Sequence, residues 1–183
     1  MTDLLALQKQ FILSHLRPGG VAADYTMGNG HDTLFLSQTV GDGGKVYAFD
    51  VQKEALESTK TLLEKENAPE NYTLILDSHH NADKYIAEKV NAGMFNLGWL
   101  PGSDRTVTTK RETTLPAIKG AIERMASDAI VLVAVYPGHP EGDAEGKMIA
   151  EYLSTLDRHH YMCAVFRIIN SPTSPFFFII ENK

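Results

Sequence analysis

The chain has 183 residues, 43% of them hydrophobic, enough for one domain with a sizeable core and too few for two, so residues 1–183 are expected to form a single domain. A formal net charge of -6 argues against a general nucleic-acid coating protein, and the single cysteine, Cys163, leaves no internal disulfide to form. No apolar run approaches the length of a membrane span, and no charged and then apolar leader opens the chain, so a cytoplasmic protein without membrane contact is expected.

In chain order, Leu4, Leu5, Leu7, Phe11, Ile12 and Leu16 recur at helical spacing, and "RPGG" at 17–20 ends the pattern. Short apolar runs follow at 21–25, 46–49, 72–76, 92–97 and 130–136. They alternate with helix-like stretches at 33–38, 53–66, 81–89, 114–126 and 146–156. That alternation predicts an α/β fold on a mostly parallel sheet. The last two runs, "YMCAVFRIIN" and "PFFFIIEN", are separated only by "SPTS", which predicts a C-terminal antiparallel hairpin.

The segment "DYTMGNGHDT", 24–33, joins the first strand to the first crossover helix, where open parallel sheets bind ligands. Gly28 and Gly30 allow close backbone approach. Asp50 of "VYAFD" follows at the spacing of about 20 residues from which an acid holds a ribose. A dinucleotide loop needs a third glycine where Thr33 stands, and a phosphate loop needs a lysine that is absent. A nicotinamide-dependent oxidoreductase is therefore the weaker reading.

The frame D-x-T-x-G-x-G, Asp24 to Gly30, resembles motif I of class I S-adenosylmethionine (SAM) methyltransferases, with Thr26 in place of the first glycine. Together with "FDVQ", "DSHH", "MFNLGWLPGSDR", "TTLPAI", "YPGHPEGDAEG" and the asparagine of "IIN", it resembles a small bacterial family first labelled rRNA methylases. Members of that family act as tRNA 5-aminomethyl-2-thiouridine methyltransferases. The resemblance implies a Rossmann-like, seven-stranded sheet with one reversed strand, SAM as cofactor, and N-methylation of a modified wobble uridine in the anticodon region of tRNA. An rRNA or a small amine is the alternative acceptor, and a non-catalytic RNA-binding module is a further one. "NSPTSPFFF" departs from the family pattern.

Site residues follow from the same resemblance. Asp24, Thr26, Gly28, Asn29, Gly30, His31, Asp32 and Thr33 of the turn, Asp50 and Gln52, and Asp77, Ser78 and His79 are expected to hold the cofactor, with Asn96 at its edge. SAM carries a sulfonium cation, and carboxylates suit it. Methyl transfer to an amine needs a free lone pair, and an alkylamine with a pKa of about 10 is mostly protonated at neutral pH. Acceptors in a desolvated pocket are thus expected around the nitrogen. Asn96 and the Leu97 carbonyl are candidates, with Asp104 or His139 as proton acceptors. Trp99 is placed to stack on a base, and Arg105, Lys110 and Arg111 to meet RNA phosphates. Paired neighbours such as His79 with His80 and His159 with His160 lack ligand spacing, so no metal is expected. A homodimer is expected, with no segment that marks its interface.

Overall fold

The structure is a computed structural model that describes residues 4–98 and 109–183. Trp99, Asp104 and Arg105 lie outside the described residues. The elements are helix α1 (Leu4–His15), strand β1 (Val21–Asp24), α2 (His31–Val40), β2 (Lys45–Asp50), α3 (Lys53–Lys65), β3 (Tyr72–Leu76), β4 (Val90–Asn96), α4 (Arg111–Glu123), β5 (Met125–Val135), α5 (Pro140–Leu153), β6 (Tyr161–Phe166) and β7 (Phe176–Asn182). They form one seven-stranded sheet in the order β3-β2-β1-β4-β5-β7-β6. Only β7 runs against its neighbours, pairing antiparallel with both β5 and β6. One reversed strand in a seven-stranded sheet is the arrangement expected above.

Helices cover both faces, which is why the central strands read as unbroken apolar runs. Ala129, Val131, Val133 and Val135 of β5 enter one core with Ile118 of α4 and Ile149 of α5. The alternate residues Ile130, Leu132 and Ala134 enter the other, with Ile12 and Leu16 of α1 and Leu36 of α2. The "FFFII" run of β7 divides the same way, Phe176, Phe178 and Ile180 to the first core and Phe177 and Ile179 to the second. β6 is the edge strand, with every residue partly or fully exposed.

Several boundaries differ from the periodicity, among them the start of β5 at Met125 rather than 130, and three have a clear local cause. The helix expected at 81–89 is a 3₁₀ segment, His79–Lys84, because β4 begins at Val90 and only Ala82 and Ile86 find core to fill. α5 starts at Pro140 rather than 146, since proline suits a first helical position and His139 caps it. β6 stops at Phe166, so the hairpin connection is residues 167–175 and not "SPTS" alone.

Helix α2, which carries the second half of the glycine turn, is closed from the far side by Asn71. Its Nδ2 donates to the carbonyls of Ser37 (2.9 Å) and Gly41 (2.8 Å), and its Oδ1 accepts from Ser37 Oγ (2.7 Å). The Ser37 and Gly41 carbonyls already accept the Gly41 and Gly44 N–H groups, so Asn71 adds a second donor to each at the helix end. Asn71→Ala removes all three and is expected to lower unfolding free energy by about 2 kcal/mol, read by urea denaturation.

Candidate active site

The strand registers set the site. Asp24 at the end of β1 pairs with Ala48 of β2 and Met94 of β4. Asp50 and Asn96 therefore stand two residues beyond their neighbours' pairs, on the same face of the sheet as Asp24. Asn96 in turn pairs with Ala134 of β5, which sets Tyr136 two residues further on that face. A row of polar groups thus lines the carboxyl edge at the point where strand order reverses between β1 and β4.

The turn is stitched to this edge by hydrogen bonds. Asp24 is buried, its Oδ1 accepting from the Thr26 N–H (3.1 Å) and its Oδ2 from Thr33 Oγ1 (2.7 Å). Thr26 Oγ1 accepts from the Asn96 N–H (2.6 Å), tying the turn to the end of β4. Asp50 Oδ2 accepts from the Gly28 N–H (3.0 Å), and its Oδ1 from the Gln52 N–H (2.9 Å). Gly30 has φ +86, and a Cβ there would lie 2.9 Å from Thr59 of α3. Its bare backbone admits a helix of the same chain, while Gly28, at φ +52, turns its N–H to the Asp50 carboxylate.

Asn96 is held on both sides. Its Nδ2 donates to Asp32 Oδ2 (2.9 Å), and its Oδ1 accepts from the Tyr136 hydroxyl (3.1 Å). The carboxylate can only accept, so this pairing fixes which way the carboxamide faces. Lys9 of α1 lies 3.9 Å from Asp32 Oδ1. Leu97 is buried and donates its N–H to the Ala134 carbonyl (3.0 Å). Sequence reasoning missed Tyr136; its place two residues past the pair of Asn96 becomes visible only with the β4–β5 register.

At the ends of β2 and β3, Asp77 accepts from the Ser78 N–H (2.7 Å), Asn81 Nδ2 (2.9 Å) and the Tyr85 hydroxyl (2.9 Å). The Asn81 and Tyr85 bonds hold its carboxyl below the usual range. Between Asp50 and Asp77 three apolar side chains stay in solvent, Val51 at 60%, Leu76 at 51% and Tyr85 at 43% exposure. Leu76 is the β3 partner of Asp50, and Tyr85 lies against the Phe49 ring, an apolar patch that was not foreseen. His79 is buried, its Nδ1 against the Tyr25 carbonyl (3.0 Å), and burial pulls its pKa down to about 4, so the ring is neutral. Ser78 Oγ bonds His80 instead (2.7 Å).

Other expected residues lie apart from this row. Asn29 and His31 line an open groove of about 620 Å³ along α3, with Asn29 Oδ1 accepting from Ser58 Oγ (3.1 Å). His139 accepts the Gly142 N–H on Nδ1 (3.1 Å), the bond that caps α5. Arg111 is paired with Glu141 (3.1 Å), which offsets its charge, whereas Lys110 is exposed at the entry to α4. Glu145 is buried inside α5. It accepts from Thr114 Oγ1 (2.6 Å) and Thr109 Oγ1 (3.1 Å), and Thr109 Oγ1 accepts the Gly98 N–H (3.0 Å). No group of three or more His, Cys, Asp or Glu among the described residues is placed to hold a metal ion, and no described helix is long and apolar enough to cross a membrane.

Asp24, Asp32 and Asp50 make the cleft acidic. Burial, and next the Asp32 charge, push the Asp24 pKa up to about 7. An unfolded chain releases that proton near 3.8, so between about pH 4 and pH 7 the native state binds more protons. Stability contributed by this group therefore falls as pH rises through that window. Unfolding at pH 5 and pH 8 is expected to show the wild-type chain losing stability relative to Asp24→Asn on going to pH 8; an unchanged difference would assign Asp24 an ordinary pKa.

Comparison with known proteins bears on the fold and the family. A Clostridium thermocellum structure described as a putative rRNA-methylase superposes with TM-score 0.96 at 35% identity, covering 100% of this chain and 99% of that one. A Streptococcus mutans putative methyltransferase, solved in complex with SAH, gives 0.91 at 38% identity over 100% and 99% of the two chains. The chloroplastic tRNA (mnm(5)s(2)U34)-methyltransferase of Arabidopsis thaliana is 34% identical over 91% of this chain, which spans 66% of that relative's length. Residues 46–181 match the family described as Putative rRNA methylase. The chain belongs to that family, and its sheet is the class I fold of SAM-dependent methyltransferases.

Proposed function

We propose that the chain transfers a methyl group from SAM to the primary amine of 5-aminomethyl-2-thiouridine at the tRNA wobble position. The observation that carries the reading is the Asn96 carboxamide, clamped between Asp32 and Tyr136 at the strand end beside an acidic cleft. The target follows from the motif resemblance and from the substrate in the name of the Arabidopsis relative.

The residues present fit the cofactor. Each oxygen of Asp50 accepts one backbone N–H and keeps further lone pairs for ribose hydroxyls. Val51, Leu76 and Tyr85 offer apolar surface to an adenine. Asp24 and Asp32 suit the positive charges of the methionine end. When bound, SAM supplies the electrophile, a methyl group on a sulfonium.

The chain's own part is to present a nucleophile. Asn96 Oδ1 carries two lone pairs, and Tyr136 takes one. The second accepts an N–H of the substrate amine, which turns the nitrogen lone pair away from Asn96. Asp32 keeps the carboxamide from rotating. A carboxamide does not titrate, so it orients the neutral amine without stabilising the ammonium as a carboxylate would. Positioning of this kind accounts for a large share of the barrier in group transfer.

Labelled SAM and tRNA from cells blocked in this last step are expected to give methylated wobble nucleoside. SAM binding without incorporation rejects the tRNA target, and rRNA or small amines in the same assay then identify another. Asn96→Ala is expected to cut kcat by about 100-fold and Tyr136→Phe by about tenfold.

A further inference from the structure

A second cavity, of about 520 Å³, lies between α5 and the terminal hairpin. Its walls include Pro137, Val165 and Pro172, and its cations are Arg167 and Lys147. The Arg167 guanidinium sits 4.0 Å from the centroid of the Phe176 ring, and that ring is buried. Among the described residues no carboxylate pairs with Arg167. Lys147 has only a distant exposed partner, Glu151 at 3.9 Å. The one carboxylate in the lining, Asp143, accepts the Gly138 N–H (3.2 Å).

Location gives this cavity its meaning. Arg167 follows the carboxyl end of β6 and Phe176 opens the antiparallel β7, so both lie on the edge of the sheet that carries Asn96. Pro137 adjoins Tyr136, whose hydroxyl bonds Asn96. In a chain of net charge -6, an arginine without a carboxylate partner, backed by an aromatic ring beside the reaction edge, is poor at holding helices together and well suited to a passing anion. Apolar walls next to cations match a nucleotide, which offers a flat base and a phosphate together.

We propose that this groove binds a nucleotide of the RNA strand flanking the target uridine, the phosphate meeting Arg167 and Lys147 and the base lying against Pro137, Val165 and Pro172. The proposal rests on RNA being the substrate. It assigns a use to the 170–176 segment, where the sequence departs from its family. The basic stretch singled out from sequence is weakened by the Arg111–Glu141 pair, which leaves room for a phosphate contact elsewhere.

The test uses the full chain and the same tRNA, with affinity read by filter binding across a salt series and SAM affinity by calorimetry. Arg167→Gln with Lys147→Gln is expected to weaken tRNA binding roughly tenfold at 0.15 M salt and to reduce the salt slope by about two, with SAM affinity unchanged. Arg158→Gln, which removes an exposed charge before the opposite end of β6, is expected to change neither. Wild-type affinity in the double variant overturns the groove, and so does a loss that Arg158→Gln reproduces. Absence of methyl transfer by the wild-type chain, with tRNA bound through the groove, counts against the wobble assignment alone; no tRNA binding at all overturns both.

Discussion

The bond from the Asn96 N–H to Thr26 Oγ1 joins the two halves of the site. On one side it fixes the glycine turn, already tied to Asp24 and Asp50. On the other it fixes the strand end from which the Asn96 side chain reaches Asp32 and Tyr136. The turn and the end of β4 are thereby set at one spacing, and under the proposed function methyl donor and nucleophile meet there without rearrangement of the frame. Thr26 stands where motif I of related methyltransferases has glycine, and its hydroxyl gives a physical reason for the exchange. A glycine there would leave the Asn96 N–H without this partner.

Charge in the cleft follows the same economy. Three aspartates are gathered at the ends of two strands and the start of α2, and burial makes Asp24 reluctant to ionise. Burial also raises Asp50, although backbone donors, Gln52 and Gly28 among them, oppose the effect. A positively charged ligand reverses this balance by favouring the carboxylates. Under the proposed function the net charge of -6 and the acidic cleft belong to the cofactor side, and contacts to RNA are local and cationic. Arg167 on Phe176, built on the hairpin rather than on the turn, is the contact proposed for that role.

Much of this was legible from sequence because it lives in short-range pattern. Alternating apolar runs and helical stretches gave the α/β order, and "SPTS" between two strand-like runs marked the hairpin. The boundary errors have one source: periodicity reports which residues want burial, not where a neighbouring element leaves room. The 81–89 stretch had helical spacing, yet the entry of β4 at Val90 left only a 3₁₀ segment. Nothing local in the sequence reveals that Thr109 and Thr114 come to meet Glu145.

By itself the sequence determined the fold class and singled out Asp24, Asp50 and Asn96, which the structure brings to one edge of the sheet, since these rest on motifs and on contacts spaced along adjoining segments. Tertiary structure decided what each group touches. Strand register, a property of pairing between distant segments, brought Tyr136 to Asn96. Packing of α3 on Gly30 assigned that glycine to the protein's own helix. The return of β7 between β5 and β6 placed Arg167 at the edge of the sheet that carries Asn96, because side-chain position across a sheet is fixed by hydrogen bonds that no local pattern encodes.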